Sequence, residues 1–195
     1  MRFDEFGYPA PSGSSDSEDS SHLAGILAVT KHPQAVSCLK YYIEQHDAAP
    51  VYVRHPKEAC YDFSRDQAIM LMCGLIAQGH NDYVNLDFIT GRDILPPSVR
   101  GLVRIAQGKK PYFYQSKWLT AEIYWHSYIQ PLEEPNQIIA LCSAYGDEYL
   151  KLWTKHNKLW RWSIRRYWGA LDCEWRDEKE LAEHVIKYVE NKLNG

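Results

Sequence analysis

Residues 64–79 read SRDQAIMLMCGLIAQG, and this stretch decides the fold class. Ser64, followed three residues later by Gln67, forms a capping box, which predicts that a helix begins here. The next ten residues, 68–77, are apolar on every side of a helix, a pattern typical of a helix buried all round. Gly79 then supplies a stop signal. The stretch therefore predicts a central helix that other elements enclose.

Helical patterning continues on both sides of this segment. Residues 1–15 are rich in Gly, Pro and Ser, which predicts a flexible or extended arm. Alternation typical of a strand is confined to residues 51–53. We therefore predict an all-α fold, with a single helical domain of about eight helices over residues 16–195. The predicted helices cover 16–30, 33–46, 68–77, 98–107, 117–129, 136–169 (with a break near Gly146) and 177–193.

Composition places the chain among globular proteins. Of its 195 residues, 45% are apolar and 24% are charged, which is enough apolar material for a core. The net charge of −3 gives no global signal for nucleic acid or for an anionic membrane. The 7 Trp and 14 Tyr are an unusual number, and such side chains suit cores, interfaces and platforms on which sugars or bases stack.

Several classes of protein lack support in the sequence. The five cysteines are odd in number and widely spaced, without a CxxC pair, which predicts reduced thiols in a cytoplasmic protein. No apolar run reaches the roughly 20 residues of a membrane span, and the N-terminus lacks the pattern of a signal peptide. Zinc-binding histidine spacings and the common nucleotide and serine-hydrolase motifs are absent. We therefore expect no metal, no cofactor and no membrane partner.

The first candidate site is the acidic segment 16–25. On a helix, Asp19 and His22 lie one turn apart on the same side. A carboxylate beside an imidazole is an arrangement used in general acid–base catalysis. Acids at a helix start also complement the helix dipole without any catalytic role, and we weight this structural explanation more heavily.

Two further candidates precede the buried helix in sequence. Arg54 and His55 stand before Pro56, and the pair predicts either an anion-binding pocket or, more simply, an ordinary surface site. Arg65 and Asp66 lie in the polar turn that leads into the buried helix. Dipole complementarity explains Asp66, whereas Arg65 has no structural explanation, so we expect this turn at the mouth of a cleft.

The fourth candidate is the basic and aromatic segment 155–168. It holds five Lys and Arg residues and no acid. Basic residues interleaved with aromatic ones are typical of a nucleic-acid groove or a sugar-binding platform. An amphipathic helix with a solvated basic side has the same pattern, and we favour that simpler explanation. The candidate binding residues on the outer side of this helix are Lys158, Arg161, Trp162, Arg165 and Arg166.

Three segments together resemble a set of uncharacterised bacterial and bacteriophage proteins. The matching features are the acidic helix start at 16–25, V-R-H-P at 53–56 and F-S-R-D-Q at 63–67. The resemblance covers roughly residues 16–80, and these relatives often carry Arg where this chain has His22. They look somewhat like the α/α-toroid proteins, whose helix mouths hold carbohydrate-active sites. The resemblance implies a toroid-like array and a phage or prophage source, with the host cytoplasm as location.

Three hypotheses of function follow, in this order of preference. The first is a binding protein with a protein partner, acting through its aromatic and basic surface. The second is a carbohydrate-active hydrolase or lyase in which Asp19 and Asp66 serve as acid and base, assisted by His22; their carboxyl groups must then lie within about 10 Å of each other. The third is a nucleic-acid binder that uses residues 155–168. None of them predicts an oligomeric state. In the enzyme, the residues that hold an anionic substrate are Arg54, His55 and Arg65.

Overall fold

The computed structural model describes residues 2–3, 9–10, 20–35, 39, 43–46, 49–52, 65–89, 97–128, 135–169 and 179–195. Helices dominate these ranges, which confirms the predicted all-α class. Two 3-10 turns, Asn81–Tyr83 and Leu86–Phe88, follow the second helix. The eight α-helices of the described ranges are α1 (Ser20–Val29), α2 (Arg65–Ala77), α3 (Pro97–Ala106), α4 (Phe113–Tyr128), α5 (Pro135–Tyr145), α6 (Asp147–His156), α7 (Trp160–Gly169) and α8 (Lys179–Asn194).

Two short antiparallel strand pairs accompany the helices. β1 (Arg2–Phe3) pairs with β2 (Pro9–Ala10), inside the segment predicted to be an arm, and Phe3 packs against the hydrophobic core. β3 (Ile43–His46) pairs with β4 (Ala49–Tyr52). Strands of two and four residues leave the helical class of the fold unchanged.

The helix predicted over residues 33–46 is wrong in the part that the structure describes. The chain turns after α1, where Lys31 takes a positive φ of 54°, and the end of the predicted helix forms β3. The reason is tertiary. Strand hydrogen bonds to β4, together with burial of Tyr52, outweigh a helical spacing of apolar residues. The Tyr52 hydroxyl also donates to the carbonyl of Tyr83, which ties β4 to the turn after α2.

α2 is the central helix that the apolar run predicts. Every residue from 67 to 75 is buried. After the helix, Gly79 adopts a positive φ of 77°, and the His80 amide donates to the Leu75 carbonyl, which closes the helix end. Both the burial and the stop signal read from the sequence are confirmed.

α1 packs along α2 and runs parallel to it. The first turns of the two helices are joined by a hydrogen bond from Ser21 to Gln67. Further along both helices, Gly25 of α1 meets Gly74 of α2. α5 begins at the same end, where its first turn is hydrogen-bonded to the first turn of α1. The starts of three helices therefore lie together at one end of the core.

The remaining helices complete the core. α3 and α4 form a helical hairpin, α6 packs on α4 and α5, and α7 packs on α8. Gly146, with a φ of 121°, separates α5 from α6, which confirms the predicted break. Asn157 separates α6 from α7. One hydrophobic cluster includes buried residues from all eight helices of the described ranges.

α4 begins at Phe113 rather than at the predicted Lys117. The side-chain oxygen of Gln115 accepts a hydrogen bond from the Tyr112 amide at 2.6 Å, and Gln115 itself is buried. This is the reciprocal half of a capping box, with a glutamine at the third position of the helix. Ser116, the residue before the predicted start, therefore lies inside the first turn of α4.

Candidate functional site

The first candidate site is the polar end of the core, where α1, α2 and α5 begin. Ser21 Oγ donates to Gln67 Oε1 at 2.7 Å, and both side chains are buried. The Nε2 atom of His22 forms a hydrogen bond with the Asn136 side-chain amide. The positive ends of three helix dipoles add positive partial charge at this end. A polar cluster therefore caps helices that are otherwise apolar.

Asn136 carries an unsatisfied polar atom within this cluster. Its side chain is fully buried, and its Oδ1 atom has no hydrogen-bond partner in the part of the chain that the structure describes. A buried acceptor in that condition costs about 1–3 kcal/mol.

The structure brings together parts of two segments that the sequence nominated. His22 lies in the first turn of α1, and the backbone of Arg65 and Asp66 lies in the first turn of α2. The hydrogen bond between Ser21 and Gln67 joins these two turns. The distance between the carboxylates of the enzyme hypothesis stays a prediction. Outside the described residues lie Asp19, Arg54, His55 and the side chains of Arg65 and Asp66.

The outer side of α7 is basic, as predicted, and two of its arginines form ion pairs with glutamates of α8. Arg161 Nε lies 2.8 Å from Glu190 Oε1, and Arg165 donates to both oxygens of Glu183, at 2.7 and 3.3 Å. The Arg165 hydrogen bond holds the pKa of the Glu183 carboxyl below its usual value. Two cations of this segment are thus paired within the molecule, which lowers the positive potential of α7.

The other nominated residues of α7 lie on its surface. Trp162 is 45% exposed, and the Arg166 guanidinium lies over its ring, 5.3 Å from the ring centroid. Lys158 is exposed in the turn between α6 and α7. On the inner side, Trp160 and Ile164 are buried as the sequence predicts. The Trp162 ring is therefore already engaged by a cation of its own helix.

α4 presents a second surface. Its buried side is formed by Gln115, Leu119 and Ile123. The rest of the helix and the residue before it carry large aromatic side chains that are between 47% and 75% exposed. So many exposed rings on one helix are typical of a binding surface. These residues, here called the α4 aromatic face, are Tyr112, Phe113, Tyr114, Trp118, Tyr124 and Trp125.

A groove of about 940 Å³ lies along this face. From Phe113 to Trp125 the helix rises by about 18 Å, which gives the groove the length of roughly three helical turns. The ring of Tyr149 from α6 also lines it. Between the rings of α4 the lining includes the small side chains of Ser116, Thr120 and Ala121. The groove is therefore walled by aromatic rings and is lined between them by small groups.

Basic residues are frequent in the sequence around the start of α4. No Asp or Glu occurs between residues 97 and 121. The Arg104 guanidinium lies 3.8 Å from the centroid of the Tyr112 ring, and the Lys117 ammonium lies 4.9 Å from that of Phe113. Cations are thus held against the aromatic face itself. The residues here called the α4 basic corner are Arg100, Arg104, Lys109, Lys110 and Lys117.

The sequence predicts the α4 helix without indicating which of its sides faces the core. Trp118 and Trp125 are large and apolar, so composition alone favours burial for both. Two signals in the sequence point to the surface. One is the stretch from 97 to 121 without an acid, and the other is the four-residue spacing of Leu119 and Ile123, which defines a different stripe from the tryptophans.

The described ranges give little support for a membrane span, a metal centre or a reactive thiol. No helix there is both long enough and apolar enough to cross a membrane. In the same residues, no group of three or more His, Cys, Asp or Glu side chains is placed to hold a metal ion. Cys73 and Cys142 are buried free thiols, and burial raises the pKa of both, which makes them poor nucleophiles.

These features define an all-α protein with a polar cluster at one end of its core and an exposed aromatic and basic surface on α4. No protein-family model, curated protein or solved structure matches the chain.

Proposed function

We propose that this protein is a binding protein that engages a protein partner through the α4 aromatic face and the α4 basic corner. The observation that carries the proposal is the exposure, from 47% to 75%, of six large aromatic side chains, five on α4 and one, Tyr112, just before it. Burial of apolar surface is favourable by about 25 cal/mol for each Å², and a partner that covers these rings gains the part of it that exceeds the cost of association. The proposal requires no catalytic group.

The proposal places the binding surface on α4 rather than on α7. The sequence hypothesis rested on residues 155–168, where Arg161 and Arg165 are engaged by Glu190 and Glu183. The α4 basic corner, in contrast, belongs to a stretch without any acid. A phage or prophage source and a cytoplasmic location are part of the same proposal, and the resemblance of three sequence segments supports them.

Affinity capture with matched variants tests the proposal. Three baits are used in a bacterial host lysate: the tagged protein, the double variant Phe113→Ser/Trp125→Ser, and the control Leu159→Ser/Trp162→Ser. The control changes the first turn of α7 and the residue before it. All four residues are exposed. Quantitative mass spectrometry is expected to show partners that the wild type and the α7 control retain and the α4 variant loses. Capture that is the same for all three baits would sink the proposal.

A carbohydrate-active hydrolase or lyase is the second candidate function. The hydrogen bond between Ser21 and Gln67, which brings the first turns of α1 and α2 together, favours it. In this candidate Asp19 and Asp66 are acid and base, and His22 assists. Reducing-end release from a panel of polysaccharides, compared between wild type and Asp19→Asn or Asp66→Asn, tests it. An inactive wild type across the panel removes the candidate.

A further inference from the structure

We infer that the partner segment that fills the α4 groove is an amphipathic helix of another protein, with acidic residues at the end that meets the α4 basic corner. The inference rests on the proposed function and names the chemistry of the partner. The shape of the α4 groove indicates a helix, and the positive charge of the α4 basic corner indicates acidic groups on that helix. Together they specify apolar and acidic groups within one ligand.

The shape of the groove suits a helix. It follows α4 for about 18 Å, which matches three turns of a partner helix, and such a helix inserts side chains at every third or fourth position. The Phe113 and Trp125 rings stand near its two ends, 75% and 53% exposed. Small side chains, Thr120 and Ala121 among them, let the backbone of a second helix approach closely.

Charge is distributed unevenly along the same groove. Of the described residues that line it, Lys117 carries the only formal charge. The other cations of the corner lie before the helix, where Arg104 stacks on Tyr112 and its Nε donates to the Lys110 carbonyl. A fitting ligand is therefore apolar along most of its length and negative at one end. Acidic residues concentrated in the first turn of an amphipathic helix meet this requirement and also stabilise that helix.

A second copy of this chain does not supply that charge from the same surface. In a symmetric pair each patch faces itself. The stretch from 97 to 121 brings arginines and lysines and no acid to such an interface. On α6, beside Tyr149, Asp147 and Glu148 are both paired with lysines, at 3.4 and 3.6 Å. A different protein with acidic groups matches the surface better than a second copy does.

A single-stranded nucleic acid is matched less well for a related reason. Its backbone carries one negative charge at every nucleotide, so its binding sites hold cations along the whole track. Of the described residues that line the α4 groove, only Lys117 carries a formal charge, and the net charge of the chain is −3. A ligand with charge at one end and apolar groups elsewhere fits this distribution.

Selection from a displayed peptide library tests the inference. The library encodes helices of about 18 residues, long enough to span the groove. Leu, Phe or Met stand at helical spacing, and Glu, Lys or Gln are equally represented at the polar positions. After selection on the intact protein, we expect Glu to exceed Lys by about tenfold in one terminal turn. Equal enrichment of Glu and Lys, an excess of Lys, or no enriched sequence overturns the inference.

Three variants make the selection specific to this surface. Lys109→Glu/Lys110→Glu/Lys117→Glu reverses the charge of the corner and is expected to reverse the preference from Glu to Lys. Ala121→Arg obstructs the groove and is expected to abolish selection, whereas Leu159→Arg in the turn before α7 leaves selection unchanged. Ala121 and Leu159 are both exposed, and circular dichroism verifies that each variant folds. A Glu preference that survives the charge reversal contradicts the inference.

Two further measurements test whether a second copy of this chain or a nucleic acid occupies the groove instead. Sedimentation that detects a dimer lost in Ala121→Arg assigns the groove to a second copy. Salt-dependent binding of oligo-dT that is lost in Phe113→Ser assigns it to nucleic acid. Either result overturns the inference. If the α4 variant loses its lysate partners but the library shows no preference for Glu, the inference about partner chemistry is wrong and the proposed function stands. If the α4 variant captures the same partners as the wild type, the proposed function itself is wrong.

Discussion

Gly25 of α1 and Gly74 of α2 meet so closely that a Cβ atom on Gly74 would stand 2.9 Å from the Gly25 Cα atom. A Cβ atom on Gly25 would overlap the carbonyl of Met70, which is rigid helix backbone. The two central helices can therefore lie this close only because both positions lack a side chain.

We predict that Gly25→Ala lowers the free energy of unfolding by about 3 kcal/mol, because the helices must separate to admit the methyl group. Gly79→Ala is the control. Gly79 has open space around it and only a positive φ of 77° to accommodate, so its replacement costs about 1 kcal/mol. Urea unfolding followed by circular dichroism measures both variants. An equal loss in the two variants would mean that the close contact is not required.

The orientation of α4 predicts different stability losses for residues on its buried side and on its exposed side. Leu119 is fully buried, so Leu119→Ala is expected to cost about 3 kcal/mol of stability. Phe113 is 75% exposed, so Phe113→Ala is expected to change stability by only about 0.5 kcal/mol. Thermal unfolding of both variants tests this assignment. A larger loss for Phe113→Ala than for Leu119→Ala would place the aromatic face in the core.

The buried hydrogen bond between Ser21 and Gln67 gives a third prediction. Gln67→Leu removes the acceptor and leaves the Ser21 hydroxyl buried without it, which costs about 1–3 kcal/mol. Adding Ser21→Ala removes the stranded hydroxyl, so the double variant is expected to be more stable than Gln67→Leu alone. A double-mutant cycle from chemical denaturation measures the coupling. Strictly additive losses would show that the two side chains do not interact.

His32 and His184 predict a loss of stability in acid. Their rings meet edge to face at 4.7 Å, and His184 Nε2 is 2.9 Å from the Thr30 carbonyl oxygen. Burial lowers the pKa of both imidazoles; the charge of His184 lowers the pKa of His32 further, whereas the Thr30 hydrogen bond partly opposes the shift at His184. The unfolded chain therefore binds more protons once the pH falls below the ordinary value of 6.5. Stability is expected to decline below that pH and to level off below the lowered values.

The variant His32→Asn/His184→Gln tests this prediction, since its amides imitate the hydrogen bonds without titrating. Its unfolding midpoint in urea should fall less with acidification than that of the wild type. His80→Gln, beyond the end of α2, serves as the control for removal of a histidine elsewhere. Parallel pH profiles for the double variant and the wild type would exclude a contribution from this pair.

Local patterns predicted the features that depend on a single segment. Ten consecutive residues from 68 to 77 were sufficient to predict the burial of α2, because no side of such a helix is suited to water. Gly146 marked the break between α5 and α6, and the spacing of Trp160 and Ile164 marked the inner side of α7. Each of these predictions needed only residues within one or two turns of each other.

Features that depend on distant residues were missed. The spacing of apolar residues in 33–46 is helical, yet the end of this segment pairs with β4 because Tyr52 is buried against the turns after α2. The polar cluster joins residues 46 and 114 positions apart, Ser21 with Gln67 and His22 with Asn136. No local pattern encodes such separations.

The sequence by itself determined that this protein is helical, which helix lies at its centre, and which segments are basic or aromatic, since propensity and periodicity act between near neighbours. Only the tertiary structure decided which basic segment remains available. Glu190 and Glu183 of α8 pair with Arg161 and Arg165 of α7. The α4 rings, in contrast, face outward because Leu119 and Ile123 occupy the core side of their helix. Packing between distant segments makes that choice, because a helix has several sides and the core accepts one of them.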